Sequence, residues 1–551
     1  MFTNWLSMRK HGTGRDGRRH HAGGNRPTIA RRRAFPAHLE LLQDRTVLST
    51  LTVLNALDSG AGSLRDTIRA ASSGDTIQFD SSLSGQTITL TSGELAIAKS
   101  LDIEGLGANQ LTISGNDASR VFDVSDGVTV TIAGMRITDG RAGGGAPVIA
   151  GVGGGILNHG NLTLSGDVLS DNQAVGDPNA SPIGRPGAAL GGGLANLGTA
   201  TLTVFRSAFL HNQALAATGS GTSAGSGSGG AIVNLDSAAA DITDSLFAGN
   251  VAHGGSGCSG TTDATGGGGA INNTSTVTVT GSTFLHNQAI GGNDSVGLVR
   301  PGLGVGGAIT SGGPIGPAAE LVVSDCTFDH NQAIGGDGNQ SSGNPTPTVN
   351  GPNEAFGGAI HLSSGTANSI RGCTIEDNAV IAGAGGTGQN GGLAWGGGLD
   401  VFNGFGNGAS AAVNNCTIDH NTVLGGPGGP GGDGGDAWGG GLATLLGATL
   451  TVTHSSVDHN RTVGGAAGSS GNGGDGYGAG IYVDALSTLT LTRVRVEHNV
   501  ARGGDAGTGG SDGDGVGGGV YNAGDTVDAD HTKIKHNHAS TSDDDVFGSL
   551  S

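Results

Sequence analysis

One asparagine returns ten times in a constant setting. It is Asn172, Asn212, Asn250, Asn287, Asn331, Asn378, Asn421, Asn460, Asn499 and Asn537, spaced 37 to 47 residues apart. Three residues before each stands an apolar side chain: Leu169, Phe209, Phe247, Phe284, Phe328, Ile375, Ile418, Val457, Val496, Ile534. Each unit opens on a Gly-rich entry and an apolar residue, such as Gly230-Ala231-Ile232 or Gly307-Ala308-Ile309. An alternating stretch follows, such as Thr276-Val277-Thr278-Val279-Thr280 or Thr488-Leu489-Thr490-Leu491-Thr492. Alternation of period two is a strand with one buried face. One such unit cannot bury that face alone, so units of this length must stack. Three short strands per unit, one at each of three corners, predict an all-β parallel β-helix whose coils lie about 4.8 Å apart. The segments between each Asn and the next entry, as in 335–356 and 425–438, lack strand patterning and read as mobile loop insertions along one edge.

Composition narrows the alternatives. Glycine supplies 112 of 551 residues, but Pro is only 14 and Gly comes in runs such as Gly266-Gly267-Gly268-Gly269, not strictly every third residue, which excludes collagen. Aromatics are 3% of the chain, too few for several compact cores. No apolar run reaches the ~18 residues of a membrane-spanning helix. Ten of the 26 basic residues but only three of the 46 acidic ones lie in residues 1–50. The body is therefore strongly acidic and would repel phosphate, so nucleic acid is not expected as a partner. Four organisational regions follow: a basic leader at 1–50, an N-terminal cap and first coils at 51–140, the ten-unit repeat at 141–540, and an acidic tail at 541–551. Within the second, Ser63-Leu64-Arg65-Asp66-Thr67-Ile68-Arg69-Ala70-Ala71 predicts a short amphipathic helix covering the open end of the first coil.

The Gly-Gly-Ala-Ile plus Phe-x-x-Asn pattern resembles the repeat of chlamydial polymorphic outer membrane proteins and related bacterial right-handed β-helix proteins. The resemblance spans residues ~150–540 and implies a right-handed, pectin-lyase-like β-helix. Asp58-Ser59-Gly60-Ala61-Gly62-Ser63-Leu64-Arg65-Asp66 likewise resembles the capping region of exported bacterial β-helix proteins. The chlamydial members continue into a membrane β-barrel; no such segment is read up to Ser551, so outer-membrane insertion is not expected. The end of the leader, Arg31-Arg32-Arg33 through Leu39-Glu40-Leu41-Leu42-Gln43-Asp44-Arg45-Thr46-Val47-Leu48-Ser49, resembles the leader of planctomycete exported surface proteins. It implies export to the cell exterior or envelope surface.

In a stacked coil every repeated residue becomes a column. The Asn column is expected to satisfy turn backbone and to be structural. His precedes it at His211, His286, His330, His420, His459, His498 and His536, often after an acid (Asp329, Asp419, Asp458, Glu497). Such a column could take zinc or copper, but stacked side chains run parallel where zinc wants converging ligands, so no metal site is assigned. Protonating closely spaced His would make the fold acid-sensitive. Cys326, Cys373 and Cys416 fall in one inward column with Ser207, Ser245 and Ser282, and read as buried thiols; Cys258 falls in a loop. Asp-containing Gly loops such as 432–436 leave loose calcium binding open, and no other cofactor is expected.

Catalysis on a polysaccharide needs paired carboxylates, or a calcium site with a base. Acids here recur unit by unit, and with four Lys the candidate bases are few. No catalytic residue is assigned. The expected role is a secreted or cell-surface, non-catalytic repeat protein, structural, adhesive or in contact with extracellular polysaccharide. The alternative is an extracellular polysaccharide lyase or glycoside hydrolase of the same fold.

Overall fold

A computed structural model of the chain describes residues 48–550, apart from 144–150, 179–186, 220–224, 258, 261–263, 298–300, 314–318, 342–350, 405, 407, 525 and 526. The leader up to residue 47 and Cys258 lie outside the described residues. The rest winds as a right-handed parallel β-helix, the hand that crossovers between parallel strands of one sheet take. Among the described residues, the long sheets hold 14, 13, 13 and 11 strands, each strand hydrogen-bonded to its counterpart one coil away.

One coil shows the plan. Gly266–Gly267, Ile271–Asn273, Thr276–Thr280, Thr283–Leu285 and Gln288–Ile290 follow one another, each on its own sheet. Each pairs in parallel with a strand of the next coil, Gly304–Val305, Ile309–Ser311, Glu320–Ser324, Thr327–Asp329 and Gln332–Ile334. Thus the coil has four or five strands where the sequence pattern predicts three. The missed strand after each Asn has one inward residue, Ala289 in this coil, and one apolar position is too little to read as alternation.

The period of two does its expected work. Val277 and Val279 are fully buried, and sit in register with Leu321 and Val323 of the next coil. Phe209, Phe247, Phe284 and Phe328 stack at 4.7–4.9 Å with planes within 6°. A buried side chain of this size contributes about 1.5–3 kcal/mol. One continuous apolar cluster runs from Val53 to Val527.

At the first coil the helix Leu64–Ala70 forms as the sequence predicts. Ser63 Oγ accepts the Asp66 N–H at 3.2 Å, and Leu64 and Ile68 are buried in the same cluster as Val53 and Ile77. At the other end, the residues expected as an acidic tail belong to the stack. Val546–Phe547 pairs with Val520–Asn522, because Val546 and Phe547 continue that sheet.

The Gly-rich insertions at 425–436, 464–475 and 503–514 are more regular than the mobile loops expected from composition, whereas residues 342–350 of the 335–356 insertion lie outside the described residues. Gly426, Gly429, Gly432 and Gly435 fall every third residue, as do Gly465, Gly468, Gly471, Gly474 and then Gly504, Gly507, Gly510, Gly513. The period of three runs along two extended arms joined by a turn, which a local bond from Gly432 N–H to Gly429 O at 2.8 Å closes. Other bonds run sideways: Gly426 N–H to Gly392 O at 2.9 Å, Gly435 N–H to Gly426 O at 2.8 Å, Gly465 N–H to Gly435 O at 2.8 Å and Gly474 N–H to Gly465 O at 2.9 Å. The arms approach so closely that a Cβ on Gly426 would lie 2.1 Å from Gly383 O, and one on Gly465 2.0 Å from Gly426 O. Only glycine fits, which is why the insertions are glycine-rich.

Candidate functional site

The ten asparagines form one uninterrupted ladder inside the wall. Nine are fully buried and Asn537 is 6% exposed. From Asn172 to Asn499, each backbone N–H and each Nδ2 donates to Oδ1 of the Asn one coil on, at 2.8–3.2 Å. Nδ2 also donates to a carbonyl one coil back, as Asn331 does to Phe284 O at 3.0 Å. The amides are thus engaged within the stack. A second ladder, Asn158, Asn196, Asn234, Asn273 and Ser311, links side chains at 2.7–3.0 Å. Its Asn residues follow the Ile or Leu of the entry strand by two, a spacing visible in the sequence but obscured by the stronger Phe-x-x-Asn mark.

The small inward column is a third ladder. Ser207 Oγ accepts the Asp167 N–H at 3.1 Å, Ser245 Oγ the Ser207 N–H at 3.2 Å, and Cys416 Sγ the Cys373 N–H at 3.4 Å. Cys326, Cys373 and Cys416 are buried free thiols, as expected, and each replaces a hydroxyl as acceptor or filler. The hydrogen bond with Cys326, and behind it burial, pushes the Cys373 thiol up to about 12, so it is not a poised nucleophile.

The residue before each ladder Asn has left-handed backbone: φ is 57° at Asp171, 53° at His211, 53° at His330, 54° at Asp377, 54° at His420, 51° at His459 and 57° at His498. Gly249 takes the same place at φ 63°. Gly, Asn, Asp and His tolerate this region best, so turn geometry explains the column's composition. The imidazoles lie outside and about half exposed, with rings stacked at 4.8 Å and 3° for His420–His459, 4.9 Å and 12° for His459–His498, and 5.7 Å and 29° for His498–His536. Carboxylates flank them. Asp419 Oδ1 is 3.1 Å from His420 Nδ1 and 3.6 Å from His459 Nδ1; Asp458 Oδ1 is 3.4 Å from His459 Nδ1 and 3.2 Å from His498 Nδ1. A hydrogen bond to Asp329 raises the His330 pKa, which favours the protonated ring and opposes the acid sensitivity expected from like-charged His.

Side chains that the sequence reading passed over form a second feature. All three Tyr and two of the three Trp of the chain gather with Phe356, Phe402 and Phe547 on one flank, between the entry strands and the glycine-rich arms. Trp438 stacks on Tyr482 at 5.2 Å, Tyr482 on Tyr521 at 5.4 Å, and Tyr521 on Phe547 at 4.4 Å. Trp438, Tyr477, Tyr521 and Phe547 are partly exposed. At the strip's buried end His361 Nδ1 lies 2.9 Å from both oxygens of Asp400. The residues come from successive coils, so only the folded stack brings them together.

Beside the capping helix is a recess of about 320 Å³ lined by Arg65, Arg69, Glu94 and Lys99 among others. Its charges are already committed: Arg65 to Asp58, Arg69 to Asp66, Glu94 to Arg120, and Lys99 to the carbonyls of Arg69 and Ala71. It is a seam of the cap.

No protein-family model matches the chain, and no curated protein sequence matches it. Among solved structures it is similar to the ORF18 protein of Geobacillus virus E2, with 11% identity over 79% of this chain and 61% of that one, at TM-score 0.26. It is similar to the catalytic unit of a thermostable GH87 alpha-1,3-glucanase from Streptomyces thermodiastaticus, with 13% identity over 92% and 71%, at TM-score 0.34. Tailspike protein 3 of bacteriophage CBA120 matches with 10% identity over 81% and 56%, at TM-score 0.30. The chain thus spans less than two thirds of the viral and phage chains, and at these identities no site residue is carried across. Among the described residues no helix is long and apolar enough to cross a membrane.

Proposed function

We propose that this chain is a non-catalytic β-helix repeat protein of the cell exterior, structural or adhesive, that contacts polysaccharide along its flank. The observation that carries this reading is repetition. Asp329, Glu376, Asp419, Asp458 and Glu497 stand in one register from coil to coil, so no pair among them is set apart as acid and base. The partly exposed aromatic strip supports a glycan contact, since ring faces pack against the C–H faces of sugars while Tyr hydroxyls reach sugar oxygens. The repeat's likeness to polymorphic outer membrane proteins and the basic leader support the external location.

The test is a glycan array with the full chain, run beside reducing-sugar and unsaturated-uronate assays on every glycan that binds. Binding without product, weakened by Trp438→Ala and Tyr521→Ala, is the expected result. Product formation would replace it with the lyase or hydrolase reading. One observation favours that second reading: burial first, then Asp329, Asp377 and Asp419, hold the Glu376 carboxyl above its ordinary range, as a general acid needs. Loss of product in Glu376→Gln would then identify it.

A further inference from the structure

Left-handed turns account for a His, Asp or Gly before each ladder Asn. They do not account for four imidazoles in succession at His420, His459, His498 and His536, each stacked on the next. Nor do they account for the acids preceding three of them. We propose that this edge holds a divalent transition-metal ion at one of two overlapping sites that share His459: Asp419, His420 and His459, or Asp458, His459 and His498.

In each trio one ligand atom per residue lies within 4.8 Å of the other two. Two imidazole nitrogens and a carboxylate oxygen form a donor set suited to zinc, nickel or copper, with water completing the shell. A hard cation such as calcium prefers an all-oxygen shell. A second observation points to the first trio. Asp419 Oδ1 is shielded from solvent and has no hydrogen-bond partner, although it faces both imidazoles at 3.1 and 3.6 Å. An acceptor left open between two rings is what a cation would fill. Asp458 differs, because Arg495 lies 3.3 Å away and competes for its carboxylate. The first trio is therefore the tighter site. Binding requires the parallel rings to tilt together, and half-exposed side chains on a surface can do so at small cost. Sharing His459 Nδ1 makes the two sites exclusive, so this edge takes one ion per chain. The trio Asp329, His330 and Asp377 offers only one imidazole and ranks below both.

The experiment is calorimetric titration of the full, tag-free chain with zinc chloride, repeated with calcium chloride. Wild type is expected to show one tight zinc class per chain and no calcium class of similar affinity. His459→Asn keeps a residue that accepts left-handed backbone and removes the shared nitrogen, and it should weaken the tight class at least tenfold. His420→Asn should weaken it less, because the Asp458 trio survives; Asp433→Asn, in a glycine arm, should leave it unchanged. Equal zinc affinity in wild type and His459→Asn, or calcium binding as tight as zinc, would overturn the proposal. Should His459→Asn fail to fold, the wild type still decides. Zinc must protect His420 and His459 from diethylpyrocarbonate, read residue by residue by mass spectrometry, while leaving His211 reactive; no protection at His420 and His459 counts against the site.

Discussion

Asp545 Oδ1 accepts the backbone N–H of Asn537 at 3.1 Å and its Nδ2 at 3.0 Å. These are the two bonds that each earlier ladder Asn makes to the Asn one coil on. Asp545 therefore stands where an eleventh asparagine would, eight residues on instead of about forty. A carboxylate accepts only, which is all that the two Asn537 donors require. Asp545→Ala should leave two shielded donors unmet and cost about 1–3 kcal/mol. The loss should be local, since a solenoid frays from its ends. Hydrogen exchange of 533–547 should accelerate in Asp545→Ala and stay near wild type in Asp545→Asn; equal exchange in all three would show that the rung is not stabilising.

In the middle of the ladder the same swap has the opposite outcome. Asn331 donates through Nδ2 to Asn378 Oδ1 at 2.9 Å and to Phe284 O at 3.0 Å, and is fully buried. Asn331→Asp would remove both donors and aim a buried carboxylate at two acceptors. The expected loss is about 3–5 kcal/mol, the scale of an uncompensated buried charge. Urea denaturation at pH 8 measures it. Asn331→Asp should be worse than Asn331→Ala at pH 8 and recover relative to it near pH 4, where the acid can stay protonated.

Much of this was legible in the chain itself. The Thr-Val-Thr-Val-Thr alternation at 276–280, the apolar column three before each Asn, and the Ser63 cap all took the places expected of them. The strand Gln288–Ile290 was not legible, since three residues with a single inward Ala carry no periodicity. The glycine arms were legible in principle. Gly426, Gly429, Gly432 and Gly435 show a period of three, but it is confined to a dozen residues at a time, so a search for chain-long Gly-X-Y passes over it. The aromatic flank was not legible at all: Trp438, Tyr477, Tyr521 and Phe547 come from separate coils, and their meeting depends on register.

Two glycines two residues apart at one turn, Gly429 and Gly431, separate close packing from backbone strain. A Cβ on Gly429 would lie 1.9 Å from Gly386 O, whereas Gly431, at φ 84°, has nothing within 4 Å. Gly431→Ala should cost only the left-handed penalty, about 1–2 kcal/mol. Gly429→Ala must move backbone against backbone, and should cost more or free the arm. Limited proteolysis reads this directly: cleavage within 425–436 should rise sharply in Gly429→Ala and little in Gly431→Ala. Similar cleavage in both would mean the arms are not packed by backbone contact.

Asp167 provides the pH test. It is 1% exposed and stands in the Ser/Cys column, where its Oδ1 accepts the Met135 N–H at 2.9 Å. Burial raises its carboxyl to about 7, against 3.8 ordinarily, with the backbone bonds from Met135 and Ser165 pulling the other way. A carboxyl whose pKa rises on folding holds its proton more tightly in the native state. Its contribution is complete below about pH 4 and is lost as pH climbs through 7. At roughly 1.4 kcal/mol per pH unit, this one group would make the fold about 2–4 kcal/mol less stable at pH 8 than at pH 4. Asp167→Ser keeps an acceptor for Met135, as Ser207 does for Asp167 at 3.1 Å, and removes the titration. The variant should match wild type within about 1 kcal/mol at pH 4 and exceed it at pH 8, with a flatter slope between. Denaturation midpoints taken every half pH unit from 4 to 8 will show it; parallel curves for the two proteins would mean that Asp167 is charged in the fold throughout.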